Sequence, residues 1–256
     1  MDVSSQRFDV LGVKVNTLDL GTATRLIHDT AEAGGKGYAT FTGVHGVIES
    51  QDNAEFREIL NKSLLTGADG MPLVWLGRRA AGDQVGRVYG PDAMLSICEA
   101  SVASGHRHFF FGGGDQVAPL LAEKLVQRFP GLQVAGTYTP PFRPLNEAEG
   151  TELIAHVAQT KPHYFWVGIS TPKQELFMDE WLHKLDANIM LGVGAAFDFH
   201  SGLKRQAPVW MQRSGLEWLF RTVTEPRRLA SRYLTNNTRF IGLLLKEALK
   251  KRDEQS

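Results

Sequence analysis

The chain has 256 residues, with 28 Lys and Arg balanced by 28 Asp and Glu and a single cysteine, Cys98. This length can bury a sizeable core in one large domain or two small ones, and the lone cysteine excludes an internal disulfide and fits a reducing compartment. The N-terminus has no basic segment leading into an apolar run, and no stretch approaches the roughly 20 apolar residues of a membrane-spanning helix, so a cytoplasmic protein without a signal peptide is expected.

Strand-like and helix-like segments alternate from the N-terminus to about residue 205. Short runs rich in β-branched and aromatic residues predict strands over 8–15, 37–42, 64–66, 108–111, 132–137, 163–169 and 188–193. Apolar periodicity, caps and Gly or Pro stops predict helices over 19–33, 54–63, 73–81, 92–104, 116–129, 147–160 and 173–184. This alternation predicts an α/β fold, with a Rossmann-like, largely parallel sheet flanked by helices.

Small or polar residues follow five of the predicted strands. They lie at 42–43, 69, 112–114, 170–172 and 194–198. In sheets of this kind the ligand crevice lies outside the carboxyl ends of the strands. We therefore expect these five turns to form one site.

Asp69 is the first candidate for chemistry in that site. It lies among small residues shortly after the apolar pair at 64–65. Arg87 comes after the helix-like segment at 73–81. An acid on a tight turn near an arginine is a candidate general base beside an anion clamp. Asp is also a favoured helix N-cap, and on the residues alone this second interpretation is the stronger one.

The glycines at 112–114 lie between a strand and a helix. Backbone N–H groups and the helix dipole can bind phosphate there, although a purely structural tight turn fits equally well. The motif is neither GxGxxG nor a P-loop, which disfavours nicotinamide enzymes and P-loop NTPases. The eight histidines are scattered and neither HExxH nor Asp-x-Asp occurs, so no metal site is predicted and any diphosphate would need Arg, Lys and backbone donors.

Two further positions could contact a ligand. Pro172 opens a helix in which Lys173, Gln174 and Glu175 form the first turn, within reach of a sugar or phosphate. An exposed first turn, with Glu175 complementing the helix dipole, is the alternative. His45 also follows a strand, although such a residue is more often a hydrogen-bonded structural histidine.

The alternation stops near residue 206, and only helical patterns remain, over 209–213, 216–224, 226–235 and 239–252. We therefore predict an α/β catalytic domain over 1–205 and a helical appendage over 206–256. Residues 204–256 hold 12 Lys and Arg against 5 Asp and Glu, which indicates an anionic partner such as a membrane, nucleic acid or phosphates. A solvated helical face is the alternative.

Seven ordered motifs over residues 8–235 together resemble the WecG/TagA/CpsF family of glycosyltransferases. In one-letter code they are ADG at 68–70, RVYGPD at 87–92, FGG at 111–113, PKQE at 172–175, GVGAAFD at 192–198, RQAP at 205–208 and GLEWLFR at 215–221, with EPRR close behind at 225–228. Seven motifs in the right order are far more specific than any one of them.

The resemblance implies an inverting, metal-independent transfer of a sugar from a UDP-sugar to a polyprenyl-diphosphate-linked saccharide, with no cofactor, in the synthesis of exopolysaccharide, teichoic acid or common antigen. It implies that Asp69 is the general base and that Arg87 faces a diphosphate. It also implies that Gln174, with Lys173 and Glu175 beside it, positions donor or acceptor.

Further substrate-binding residues follow from the resemblance at other positions. Thr40 matches a threonine of the family, and Thr42 stands where the family usually has Asn, which puts sugar preference there in doubt. Nucleotide contacts are expected at Gly112, Gly113 and Asp198. Arg221 and Arg228 are expected to meet acceptor diphosphate and phospholipid head groups.

The expected partners are thus a UDP-sugar, a lipid-linked saccharide acceptor and the cytoplasmic leaflet of the membrane, which a peripheral protein would bind through its basic tail and an apolar stripe at 240–249. Nucleic acid is not expected, and a homo-oligomer remains open. Packing of the last helix on the enzyme body is the rival interpretation of the stripe. A catalytically silent sugar-nucleotide-binding or scaffold protein of a polysaccharide assembly complex is the rival function.

Overall fold

The computed structural model describes residues 6–253. Within that range the strands are β1 (Arg7–Val10), β2 (Val13–Asn16), β3 (Gly37–Thr42), β4 (Leu65–Ala68), β5 (Arg107–Gly112), β6 (Gln133–Tyr138), β7 (Tyr164–Gly168) and β8 (Ile189–Gly192). Six of them form one parallel sheet in the order β4-β3-β8-β7-β5-β6. The predicted α/β fold is confirmed.

Helices cover both faces of this sheet and then continue alone at the C-terminus. Along the sheet they are α1 (Leu20–Glu32), α2 (Val44–Asp52), α3 (Ala54–Lys62), α4 (Met71–Ala81), α5 (Gly90–Ser104), α6 (Val117–Arg128), α7 (Glu147–Thr160), α8 (Lys173–Trp181) and α9 (Ala196–His200). After residue 205 they are α10 (Val209–Arg213), α11 (Glu217–Thr224) and α12 (Pro226–Asp253).

The central strands are buried on both faces, which explains their uninterrupted apolar sequences. Successive side chains of a strand point to opposite faces. Accordingly Phe110 and Trp166 join one core cluster, whereas Phe109, Phe111 and Phe165 join another on the opposite face. The two cores hold the carboxyl ends of the strands at one edge of the sheet.

The prediction of a single strand over 8–15 is wrong. The chain turns back at Leu11 and Gly12, both with positive φ, and β1 pairs antiparallel with β2 outside the main sheet. The hairpin is tied to β4 because the backbone N–H of Thr66 donates to Asn16 Oδ1. A leucine at a left-handed turn position is uncommon, so the sequence carried little signal for this reversal.

The last helix also differs from the prediction, because 226–235 and 239–252 form one continuous helix, α12. Phe240 of α12 is buried with Val47, Ile48 and Phe56 of the body. Arg239 forms an ion pair with Asp52 at the end of α2. The C-terminal helices therefore lie against the α/β body, and their division into a separate appendage stays a prediction.

None of the helices within residues 6–253 combines the length and the apolar character needed to cross a bilayer. The predicted absence of a signal peptide concerns the N-terminus, and residues 1–5 lie outside the described range.

Candidate active site

A cleft of about 1720 Å³ opens at the carboxyl ends of the parallel strands. It is larger than the roughly 300–1,000 Å³ of common ligand pockets, so it has room for two substrates. The C-terminal helices close one side of it. Nine of the predicted site residues line it: Thr42, Asp69, Arg87, Gly113, Lys173, Gln174, Asp198, Arg221 and Arg228.

Asp69 lies directly after β4, at the floor of the cleft. Its backbone N–H donates to the carbonyl of Thr42 at 3.0 Å, which ties the turn to β3. The alternative that Asp69 caps a helix is wrong, because Gly70 is the N-cap residue of α4 and, in the described structure, no side chain caps that helix. The Asp69 carboxylate is therefore free to face the cleft.

The surroundings of Asp69 raise the pKa of its carboxyl group. Its side chain is 28% exposed, and Arg87 Nη2 lies 3.6 Å from its Oδ1. Burial raises the pKa of Asp69 to about 7, and the negative charges of Glu217 and Asp92 act in the same direction, while Arg87 and Arg221 oppose them. A carboxyl group with a pKa near neutrality is well matched to general base catalysis at physiological pH.

Arg87 is held by three groups. Its Nε donates to the backbone carbonyl of Asp69 at 2.5 Å, and its Nη2 donates to Glu217 Oε2 at 2.5 Å. Its guanidinium carbon lies 3.9 Å from the centre of the Tyr89 ring, and the Tyr89 hydroxyl donates to Glu217 Oε1 at 2.8 Å. Glu217 thus braces Arg87 and Tyr89 together from α11.

Cations from the C-terminal helices supply positive charge on the other side of the cleft. In the described structure the Nε atoms of Arg221 and Arg232 are buried without a hydrogen-bond partner. Arg228 Nη2 is 2.6 Å from Glu225 Oε2 and lies at the more exposed rim. Unpaired guanidinium N–H groups at a cleft wall are suited to binding a diphosphate.

Gln174 and Glu175 form a buried polar pair at the start of α8. Gln174 Nε2 and Thr171 Oγ1 donate to Glu175 Oε1 at 3.0 and 2.8 Å. In the described structure Gln174 Oε1 and Glu175 Oε2 have no partner, and burial raises the pKa of Glu175. Gln174 reaches the cleft wall with an acceptor unused, whereas Glu175 lies behind it and holds the amide. Lys173 is exposed at the rim.

The remaining predicted contacts fall in different places. Thr40 of β3 is fully buried and its Oγ1 lies 3.0 Å from Thr66 Oγ1 of β4, so its side chain links the two strands. Asp198 forms a 2.8 Å ion pair with Lys204. His45 accepts a 2.9 Å hydrogen bond from Asn236 Nδ2 of α12, which supports the structural interpretation of this histidine.

The glycine turn after β5 is shaped by its neighbour β7. Gly112 has φ of 138°, and a Cβ there would come within 2.6 Å of the Gly168 carbonyl oxygen. The Gly113 N–H donates to that same carbonyl at 3.0 Å. The structural-turn interpretation therefore accounts for both glycines, and their contact with a nucleotide stays a prediction.

Nearly the whole chain matches one family of enzymes. The Glycosyl transferase WecG/TagA/CpsF family matches residues 8–254. The chain belongs to this family. It is a glycosyltransferase, as the ordered motifs predicted.

Two curated relatives of this glycosyltransferase share the same name. An N-acetylglucosaminyldiphosphoundecaprenol N-acetyl-beta-D-mannosaminyltransferase of Bacillus spizizenii is 26% identical over 181 residues, which is 71% of this chain and 68% of the relative. A protein of the same name from Bacillus subtilis is 25% identical over 174 residues, 68% of this chain and 66% of the relative. The chain thus spans about two thirds of each relative's length.

One residue of the glycosyltransferase cleft was missed by sequence reasoning. Glu217 lies within the motif at 215–221, of which only Arg221 had been assigned a contact. Glu217 contacts Arg87 across 130 positions of the chain. The only sequence signal for this contact was the presence of an acidic residue in that motif.

Proposed function

We propose that this glycosyltransferase moves a sugar from a UDP-sugar to a hydroxyl of a saccharide carried on polyprenyl diphosphate, with Asp69 as general base. The observation that carries the proposal is a carboxylate with a pKa near 7 at the floor of a cleft large enough for both substrates. The acceptor oxygen attacks the anomeric carbon as Asp69 takes its proton. The bond between that carbon and the diphosphate breaks on the opposite face, so the configuration inverts.

The leaving UDP gains negative charge, which cations around the cleft must balance. Arg87 is oriented by Glu217 and Tyr89, and Arg221 and Arg232 carry unpaired buried N–H groups. These groups supply preorganised positive charge without a divalent ion, and we therefore propose a metal-independent transfer. Gln174 Oε1 is an unused acceptor for a sugar hydroxyl.

We base the proposed donor and acceptor on the names of the relatives. The two Bacillus proteins are named for transfer of N-acetylmannosamine to N-acetylglucosaminyl-diphosphoundecaprenol. UDP-N-acetylmannosamine and that acceptor are therefore the first pair to test. Thr42, which replaces the usual Asn of the family and lines the cleft, is the position at which we expect a different sugar to be selected.

We also propose that the C-terminal helix brings the enzyme to the inner face of the membrane, where a polyprenyl acceptor lies. Along α12 the apolar stripe divides in two: Phe240 is buried against the body, whereas Ile241, Leu245 and Leu249 are 58%, 61% and 61% exposed. Basic residues flank the exposed part. An amphipathic helix of this kind binds an anionic interface peripherally.

A UDP-release assay tests this function. UDP-sugars are screened against a short-chain polyprenyl diphosphate carrying one or two sugars, in the presence and absence of EDTA. We expect acceptor-dependent UDP release with at least one donor, unchanged by EDTA. UDP binding without release for every pair would contradict the transfer, and loss of activity in EDTA would contradict the metal-independent step.

A further inference from the structure

Three histidines form a stack at the edge of the sheet opposite the cleft. His106, in the turn before β5, lies between His28 of α1 and His163, which precedes β7. The ring centres are 4.9 Å apart for His28 and His106 and 4.3 Å apart for His106 and His163. The length of the strands places this stack about 20 Å from the cleft.

Glu32 completes a group of metal-binding side chains with two of these histidines. His28 and Glu32 are four positions apart on α1 and therefore share one face of the helix. His106 Nε2 lies 2.7 Å from Glu32 Oε2. One ligand atom from each of His28, Glu32 and His106 lies within 4.8 Å of the other two.

The buried member of the group is held in a fixed orientation. His106 is 4% exposed, and its other ring nitrogen, Nδ1, lies 3.0 Å from the hydroxyl of the buried Tyr164. A partner on the second nitrogen is the usual way in which a metal-binding histidine is oriented.

The other two members can adjust. The side chains of His28 and Glu32 are 24% and 63% exposed. Ligand atoms around a tetrahedral zinc ion lie about 3.4 Å apart, since Zn–N and Zn–O bonds are about 2.0–2.2 Å. The exposed portions of the His28 and Glu32 side chains leave them room to rotate toward that spacing while the buried His106 stays in place.

We propose that His28, Glu32 and His106 form a binding site for a divalent ion of the zinc class, with solvent at the fourth position. Two imidazoles and one carboxylate favour zinc over magnesium or calcium, which prefer oxygen ligands. The ion takes the place of the proton on His106 Nε2, the neutral ring carries its single proton on Nδ1 instead, and this Nδ1–H donates a hydrogen bond to the Tyr164 hydroxyl oxygen. The bound ion joins the end of α1 to the start of β5, and it takes no part in the transfer reaction.

Titration of tag-free, chelator-treated protein with ZnCl₂ tests the site, with calorimetry and Co²⁺ absorption as readouts. We expect one ion per chain, an intense four-coordinate Co²⁺ spectrum, and a rise in Tm of about 5 °C at saturating zinc. His28→Ala and Glu32→Gln should each weaken zinc binding by at least about tenfold. His183→Ala, at an exposed histidine outside the group, should not change it.

Circular dichroism confirms that the variants are folded before titration. Two results would overturn the site. The first is the absence of saturable zinc binding by the wild-type protein. The second is equal affinity in the wild type, His28→Ala and Glu32→Gln, which would leave the histidines as a packed stack only. UDP release in EDTA is a separate measurement, because the site lies at the edge of the sheet away from the reaction.

Discussion

The α/β body and the C-terminal helices are held in place by different forces. Helices of the body bury apolar side chains, as α1 does with Ile27 and Ala31. Within the described residues, α10 and α11 contain no buried side chain, and α12 buries Leu229 and Phe240. The C-terminal helices combine this small apolar contact with polar contacts to the body, among them Glu217 with Arg87 and Asn236 with His45.

This contrast separates stability from function. Burial of apolar area dominates the free energy of folding, so most of the stability resides in the body. The contacts that attach α11 are also the contacts that orient Arg87 beside Asp69. Substitutions at this junction are therefore expected to change activity more than the free energy of unfolding.

The largest effect is expected from Asp69→Asn. Loss of the general base should lower the transfer rate by at least a factor of about 10². The exposed Asp83→Asn serves as the control and should leave the rate unchanged. Near-normal turnover by Asp69→Asn would contradict the assignment of the base.

Asp69→Asn should also make the protein more stable at neutral and alkaline pH. The folded-state pKa of Asp69 is raised to about 7. Its burial therefore costs nothing below the unfolded pKa of about 4, and that cost grows as the pH rises toward 7. We expect the variant to gain on the order of 1 kcal/mol in free energy of unfolding at pH 8, measured by urea denaturation. A loss of stability there would contradict the strained environment inferred for this carboxylate.

A smaller effect is expected from Glu217→Gln. Loss of a charge-assisted hydrogen bond to Arg87 should lower kcat/KM about tenfold. Because the negative charge of Glu217 raises the pKa of Asp69, the rate should also rise at a lower pH than in the wild type. The matched control is Glu99→Gln, at an exposed site on α5. An unchanged pH profile would show that Glu217 only attaches α11.

The smallest effect on chemistry is expected from the exposed face of α12. The triple variant Ile241→Gln, Leu245→Gln, Leu249→Gln keeps helix propensity while removing apolar area. It should bind anionic vesicles at least about tenfold more weakly and lose activity with a vesicle-embedded acceptor, but not with a short-chain soluble acceptor. Val126→Ser, at an exposed apolar site on α6, is the control. Equal vesicle binding by the triple variant and the wild type would contradict the membrane role.

Local patterns predicted the parts of the fold that local physics determines. Strand β3 was predicted over 37–42, as observed, because all six of its residues are buried and most are β-branched or aromatic. The helix predicted over 54–63 is likewise found as α3, and it begins at a local signal, because the Asn53 side chain caps it by accepting from the Phe56 N–H. The turns after the strands meet at one edge because parallel strands share a direction.

Long-range contacts were beyond the sequence patterns. Glu217 reaches Arg87 only because α11 folds back over the sheet. The eight histidines look scattered along the chain, yet the strand order places His106 beside His28 and His163. In both cases the partners lie on elements that tertiary packing brings together. The local periodicity of apolar residues does not predict such contacts.

The most direct test of Asp69 as the base is the pH dependence of kcat/KM, measured with the soluble acceptor for the wild type and for Asp69→Asn. The proposed mechanism predicts that the wild-type value rises about tenfold per pH unit below about 7 and levels off above it. The residual activity of Asp69→Asn should lack that rise. A wild-type profile that is flat through pH 7, or the same rise in Asp69→Asn, would contradict it.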